Sequence, residues 1–169
     1  MLVAATGSRP NIVFILSDDV GQGDLGCAGA QKVKTPHLER PARESLRFIA
    51  AHSTASVCIP TRFASVTGRS GWRQRGTGIA AGNATQLIVR GTPTVASLLQ
   101  GAGYRTSLVG KWHLGLGTAE VDFNAAIPPG PRELGFGYAF FIPATGDRVP
   151  SVFIENDRVV VLDPPIPSA

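Results

Sequence analysis

Residues 11–17 (NIVFILS) constrain the fold of this chain more than any other stretch. They form a nearly continuous apolar run, rich in β-branched residues, entered from Pro10 and left through Asp18 and Asp19. A run of that length, bounded in that way, reads as a strand buried on both faces. Such strands belong to parallel or mixed sheets covered by helices, so the pattern points to an α/β architecture.

The rest of the chain alternates accordingly. Gly21, Gly23, Gly26 and Gly29 make a glycine-rich loop. Thr35 followed by Pro36 fits a helix N-cap with proline at the first helical position, and Leu38, Ala42 and Leu46 share one face. Pro41 costs about 3 kcal/mol inside a helix or forces a kink, so that helix is expected to be short or bent. Residues 47–54 read as strand or extended chain. Residues 61–68 read as a short helix, with Pro60 near its first turn and Gly68 at its C-terminal end. Residues 69–92 read as loop, 94–101 as a capped helix and 104–110 as the next strand. Pro128, Pro129 and Pro131 break any regular structure around 125–134, and strand-like runs follow at 136–143 and 152–161, the latter interrupted by a turn at Asn156 and Asp157. The expected fold is an α/β domain over residues 9–169, with a mostly parallel or mixed sheet sandwiched by helices. Residues 1–8 are expected to be a disordered N-terminus. The proline-rich tail after 159–161 reads as a fold cut before completion.

Composition narrows the function classes. With 43% hydrophobic and 17% charged residues, the chain is globular in character. No apolar run approaches the roughly 20 residues of a membrane span. The net charge of +4 is dominated by arginines spread without a dense cluster, a weak argument for an anionic ligand. No zinc-finger spacing or aromatic RNA-binding pattern accompanies it, so nucleic acid is not an expected partner. Two cysteines, Cys27 and Cys58, are too few for a disulfide scaffold. A lone cysteine is most often a small buried hydrophobe, and Cys27 keeps that reading.

Three places carry chemistry. Asp18 and Asp19 end the first strand, where ligands gather in open α/β sheets. Adjacent carboxylates repel unless a cation or solvent intervenes, so the pair reads either as a hard-metal site or as a solvated turn. Cys58 opens the pentapeptide CIPTR, just outside a helix N-terminus, where the macrodipole favours negative charge; Arg62 adds a cation one turn in. Such a site raises the reactivity of a thiol. Lys111 and His113 lie in GKWHLG after the strand at 104–110. Two apart on an extended segment, they point the same way. Lys111 can hold an anion and His113 can move a proton near neutral pH. Alone, each would be a surface lysine and a structural histidine.

Residues 9–29 (RPNIVFILSDDVGQGDLGCAG), 58–68, 103–115 (GYRTSLVGKWHLG) and 136–150, in this order, resemble the sulfatase family of the alkaline-phosphatase-like superfamily. The resemblance implies hydrolysis of aryl or carbohydrate sulfate esters. It implies that a maturation enzyme oxidises Cys58 to formylglycine, whose aldehyde hydrate is the nucleophile. It further implies that Asp18, Asp19 and the modified Cys58 bind Ca²⁺, with Mg²⁺ the alternative. Arg62 would stabilise the hydrate, Lys111 would bind sulfate and assist the leaving oxygen, and His113 would take a proton when sulfate departs. Thr145, in residues 142–147 (IPATGD), sits where relatives place a hydroxyl beside the formylglycine. Ile59, Ser65 and Pro41 depart from the family's usual residues, and further metal ligands, a histidine and a lysine are expected beyond residue 169. Two competing readings remain: a phosphonate or phosphate-ester hydrolase of the same superfamily, and a catalytically inactive truncation. Relatives are commonly exported, and the N-terminus shows no intact signal peptide, which leaves localisation open.

Overall fold

The computed structural model describes residues 9–160. The expectations for residues 1–8 and for the proline-rich tail lie outside the described residues. The chain divides into two compact units, Met1–Ala51 and His52–Ala169.

In the first unit the glycine-rich loop forms two 3-10 turns, Gln22–Asp24 and Gly26–Ala28. The Asp24 carboxylate accepts from the Gly21 N–H at 2.8 Å and fixes the first of them. Helix α1 spans Pro36–Glu44, with proline at its first position and Pro41 inside it. As its prolines imply, it is short: it stops at Ser45, whose N–H donates to the Pro41 carbonyl at 3.0 Å. Thr35 turns its hydroxyl to the Gly26 N–H at 2.9 Å instead of capping α1. Residues 11–17 form no strand, and Val13 and Phe14 are 81% and 74% exposed. This corrects the reading of a strand buried on both faces. Such a strand needs ladder partners and cover, and all four strands of the sheet come from the second unit. Residues 47–54 likewise join no ladder.

The second unit is α/β. Helix α2 spans Cys58–Thr67 and α3 spans Val95–Gly101. The strands are β1 (Ser107–Lys111), β2 (Tyr138–Ile142), β3 (Ile154–Glu155) and β4 (Arg158–Val159), in that order across the sheet. β1 and β2 run parallel, from Ser107 opposite Tyr138 to Lys111 opposite Ile142. β2–β3 and β3–β4 are antiparallel, so the sheet is mixed. The turn expected at Asn156 and Asp157 joins β3 to β4, with Asn156 at φ 58°.

The core gathers Ile59 and Phe63 of α2, Trp112, Leu114 and Leu116 of the loop after β1, and Ala139 and Phe141, alternate residues of β2. Residues 125–134 are not wholly irregular: a 3-10 turn at Pro131–Leu134 buries Leu134 in this cluster. α3 starts as read, with Thr94 and Ser97 in a reciprocal capping box, and the Thr94 hydroxyl also donates to the buried Leu134 carbonyl at 2.5 Å. No helix among the described residues is long and apolar enough to cross a membrane.

Candidate active site

α2 begins three residues earlier than expected, so Cys58 is its first residue and not a residue outside it. Pro60 is harmless there, because N–H groups in the first turn have no intrahelical acceptor to lose. Val57, the N-cap, supplies no side-chain cap to that turn. Ile59, a departure from the family pattern, is 2% exposed and anchors the turn in the core together with Phe63. Cys58 is half-buried and outside that cluster. Arg62 lies four residues on, hence on the same face of the helix as Cys58. Its Nη1 donates to the main-chain carbonyl of Lys111 at 2.5 Å. That one bond ties the first turns of the cysteine helix to the carboxyl end of β1.

Beyond Lys111 the pairing with β2 continues: the Trp112 N–H donates to the Ile142 carbonyl at 3.0 Å and the His113 N–H to that of Pro143 at 2.9 Å. His113 then turns to φ 55° and is buried, at 5% exposure. Lys111 and His113 therefore do not inherit a shared direction from an extended strand, which corrects the two-residue parity argument. A left-handed residue other than glycine costs about 1–2 kcal/mol, and such positions cluster at functional sites. The surroundings hold it there. The Trp112 indole N–H donates to the Gly115 carbonyl at 2.8 Å and its ring packs edge-on to Phe136. Gly115, at φ 74°, lets the Thr85 carbonyl approach to where a Cβ would lie 1.9 Å away.

Thr145 follows β2 and is half-buried. Its carbonyl accepts from the Arg148 N–H at 3.1 Å, closing a turn that carries Asp147. The Asp147 carboxyl is held below its ordinary range by the Thr145 hydroxyl first, then by its own backbone N–H and the positive charges of Arg148 and Lys111. Asp147 thus lies within electrostatic reach of Lys111. The signal for it in the sequence is a carboxylate two residues after Thr145, in the loop that follows β2.

Arg62, Lys111, His113, Thr145 and Cys58 all belong to the second unit; Asp18 and Asp19 belong to the first and are exposed. Two carboxylates are hard oxygen donors of the right kind for Ca²⁺ or Mg²⁺, but fewer than the roughly six to eight oxygens that calcium takes. Among the described residues no group of three or more His, Cys, Asp or Glu is arranged to hold a metal ion. The donor chemistry fits; the number of donors does not complete a site.

Comparison with known proteins bears on this arrangement. The profile of the sulfatase family matches residues 10–150. An N-acetylgalactosamine-6-O-sulfatase of Bacteroides thetaiotaomicron is 51% identical over 157 residues, covering 92% of this chain and 31% of that protein. Human arylsulfatase G is 40% identical over 141 residues, 83% of this chain and 25% of its own length. A solved structure, from work on the metabolism of multiple glycosaminoglycans by Bacteroides thetaiotaomicron, superposes with a TM-score of 0.90 at 50% identity, covering 94% of this chain and 33% of that one. The chain therefore spans about a third or less of the length of these relatives. With the cysteine helix, the lysine–histidine loop and the parallel strand pair in one α/β unit, the chain belongs to the sulfatase family.

Proposed function

We propose that the protein of which these residues are part hydrolyses sulfate esters of saccharides, with a 6-O-sulfated N-acetylgalactosamine as the substrate class. The substrate class rests on the relative that is 51% identical. The catalytic assignment rests above all on the 2.5 Å bond from Arg62 to the Lys111 carbonyl, which supports a shared site for the cysteine helix and the lysine loop.

Cys58, oxidised by a maturation enzyme to formylglycine, would supply as its aldehyde hydrate the oxygen that attacks sulfur and later lets sulfate leave by elimination. Arg62, on the same helix face, stabilises negative charge at that position with a guanidinium fixed at its far end. Lys111 binds the sulfate oxygens and gives a proton toward the departing alcohol oxygen. His113 takes a proton when sulfate leaves, and its left-handed backbone sets the imidazole apart from the strand's side-chain alternation. Thr145 would position the anion with its hydroxyl, turning to it the proton otherwise given to Asp147. Asp18 and Asp19, hard oxygen donors, would hold Ca²⁺, with Mg²⁺ as the alternative; such an ion would supply Lewis-acid polarisation when bound.

The test is twofold. Mass spectrometry of the Cys58 peptide should show the mass loss of thiol-to-aldehyde conversion after co-expression with the maturation enzyme. Purified protein should then turn over 4-nitrophenyl sulfate and a 6-O-sulfated N-acetylgalactosamine. Converted protein that cleaves a phenylphosphonate ester and leaves both sulfates intact would overturn the reading.

A further inference from the structure

The loop after α2 carries an unusual surface. From residue 52 to residue 119 the chain contains six arginines and a lysine, and no aspartate or glutamate. Three of those arginines, Arg69, Arg73 and Arg75, sit in this loop with Trp72, and all four side chains are exposed. Trp72 is 75% exposed, whereas the other tryptophan, Trp112, is buried. An exposed tryptophan contributes little to a core, and arginines with no neighbouring carboxylates in sequence have few local charge partners.

The loop is nonetheless held firmly from beneath. Gly71 rests against the Pro60 ring so closely that a Cβ would lie 2.7 Å from the proline's own Cβ. The buried Thr77 hydroxyl lies 2.5 Å from the Gly71 carbonyl and 2.8 Å from that of Gln74. The Gln74 side-chain amide donates to the Leu87 carbonyl. A 3-10 turn, Gly71–Arg73, presents the crest. There the Arg73 guanidinium lies over the indole of Trp72 at 4.8 Å from its centroid, which pre-positions the charge and leaves most of the ring to solvent. Because Gly71 packs on Pro60, two residues from Cys58, the loop folds back along α2 and emerges beside the helix's first turn.

We infer that Trp72, Arg69, Arg73 and Arg75 form a subsite for a sulfated polysaccharide chain, engaging residues of the polymer next to the one seated at Cys58. Guanidinium forks match sulfate oxygens in charge and geometry. A flat, rigid indole offers an apolar platform with a low entropic cost of binding for the C–H face of a pyranose ring. The inference rests on the saccharide-sulfatase reading, and its test is chosen so that the two can fail separately.

The probe is a chondroitin 6-sulfate octasaccharide, with affinities measured by isothermal titration calorimetry in the parent and every variant, and with Trp72 quenching by iodide followed in the parent. Binding should shield Trp72 from iodide. The paired variant R73S/R75S should weaken octasaccharide affinity by about tenfold for each arginine, and W72A should weaken it at high salt, where charge is screened. R75S alone serves as a milder variant, and an unchanged melting temperature certifies its fold. Turnover of 4-nitrophenyl sulfate, which has no neighbouring sugars, should be unaltered in all of them. Octasaccharide affinity that is the same in R73S/R75S and R75S as in the parent would overturn the subsite. So would a single-stranded DNA octamer binding as tightly as the octasaccharide, since that would make the surface a general polyanion contact. Loss of binding in the variants without any sulfate turnover by the parent would leave the subsite standing and sink the hydrolase reading instead.

Discussion

At the residue scale, the arginine of the CIPTR segment does the most to join sequence to chemistry. Arg62→Ala removes the 2.5 Å bond to the Lys111 carbonyl together with the cation one helical turn from Cys58. On the proposed reading kcat/KM for 4-nitrophenyl sulfate should fall by about 10² or more. Arg62→Lys should not restore it, because an ammonium lacks the planar fork. Steady-state kinetics on the two variants checks both. Asp147 gives a second expectation. Its carboxyl is depressed by the Thr145 hydroxyl, its backbone N–H, Arg148 and Lys111. A depressed acid contributes stability that is fully present above the ordinary aspartate value of about 4 and is lost as pH falls through the folded value. A ¹³C-carboxyl titration should find its midpoint below the ordinary range, and Lys111→Ala should move it upward. The elements that carry Cys58, Arg62, Lys111 and His113 (α2 and the end of β1) were legible in the sequence, whereas Thr145 was reached only through the family resemblance. The left-handed turn of His113 was not, since it is imposed by Trp112 and Gly115 from outside the residue. Asp147 escaped because its significance lies in its neighbours and not in a motif.

At the scale of elements, local signals fared best where they were self-contained. The cap at Thr94, the stop at Gly68 and the turn at Asn156 need only neighbours in sequence, and α3, the end of α2 and the β3–β4 hairpin follow them. Thr94→Ala should lower the melting temperature by roughly 3–8 °C, because it removes a cap and leaves the Leu134 carbonyl without its buried donor. Differential scanning calorimetry measures this directly, and Thr94→Ser should recover most of the loss. The start of α2 was misplaced for an instructive reason. Three residues into a helix, Pro60 removes no hydrogen bond, so the element extends back to Cys58. The turn at Pro131–Leu134 was hidden in the same way, by prolines that tolerate one turn of helix.

At the scale of the whole molecule, hydrophobic pattern alone proved insufficient. Residues 11–17 have the composition of an interior strand, yet Ile12, Val13, Phe14 and Ile15 are all more than half exposed, because strand formation depends on partners that periodicity does not supply. Exposed apolar, β-branched segments without ladder partners promote association. The 169-residue chain should therefore self-associate as concentration rises, and Ile15→Lys should reduce this; static light scattering reads the outcome. The mixed sheet with its helices was legible in the alternation of strand-like and helical segments. The grip of Arg62 on β1 has a last corollary for anyone engineering this molecule. The guanidinium clasps peptide oxygen, an atom every amino acid carries, so replacing the amine at position 111 leaves that clasp intact. The amine at 111 can thus be altered while the guanidinium stays put, and what that amine adds to turnover can be measured on its own.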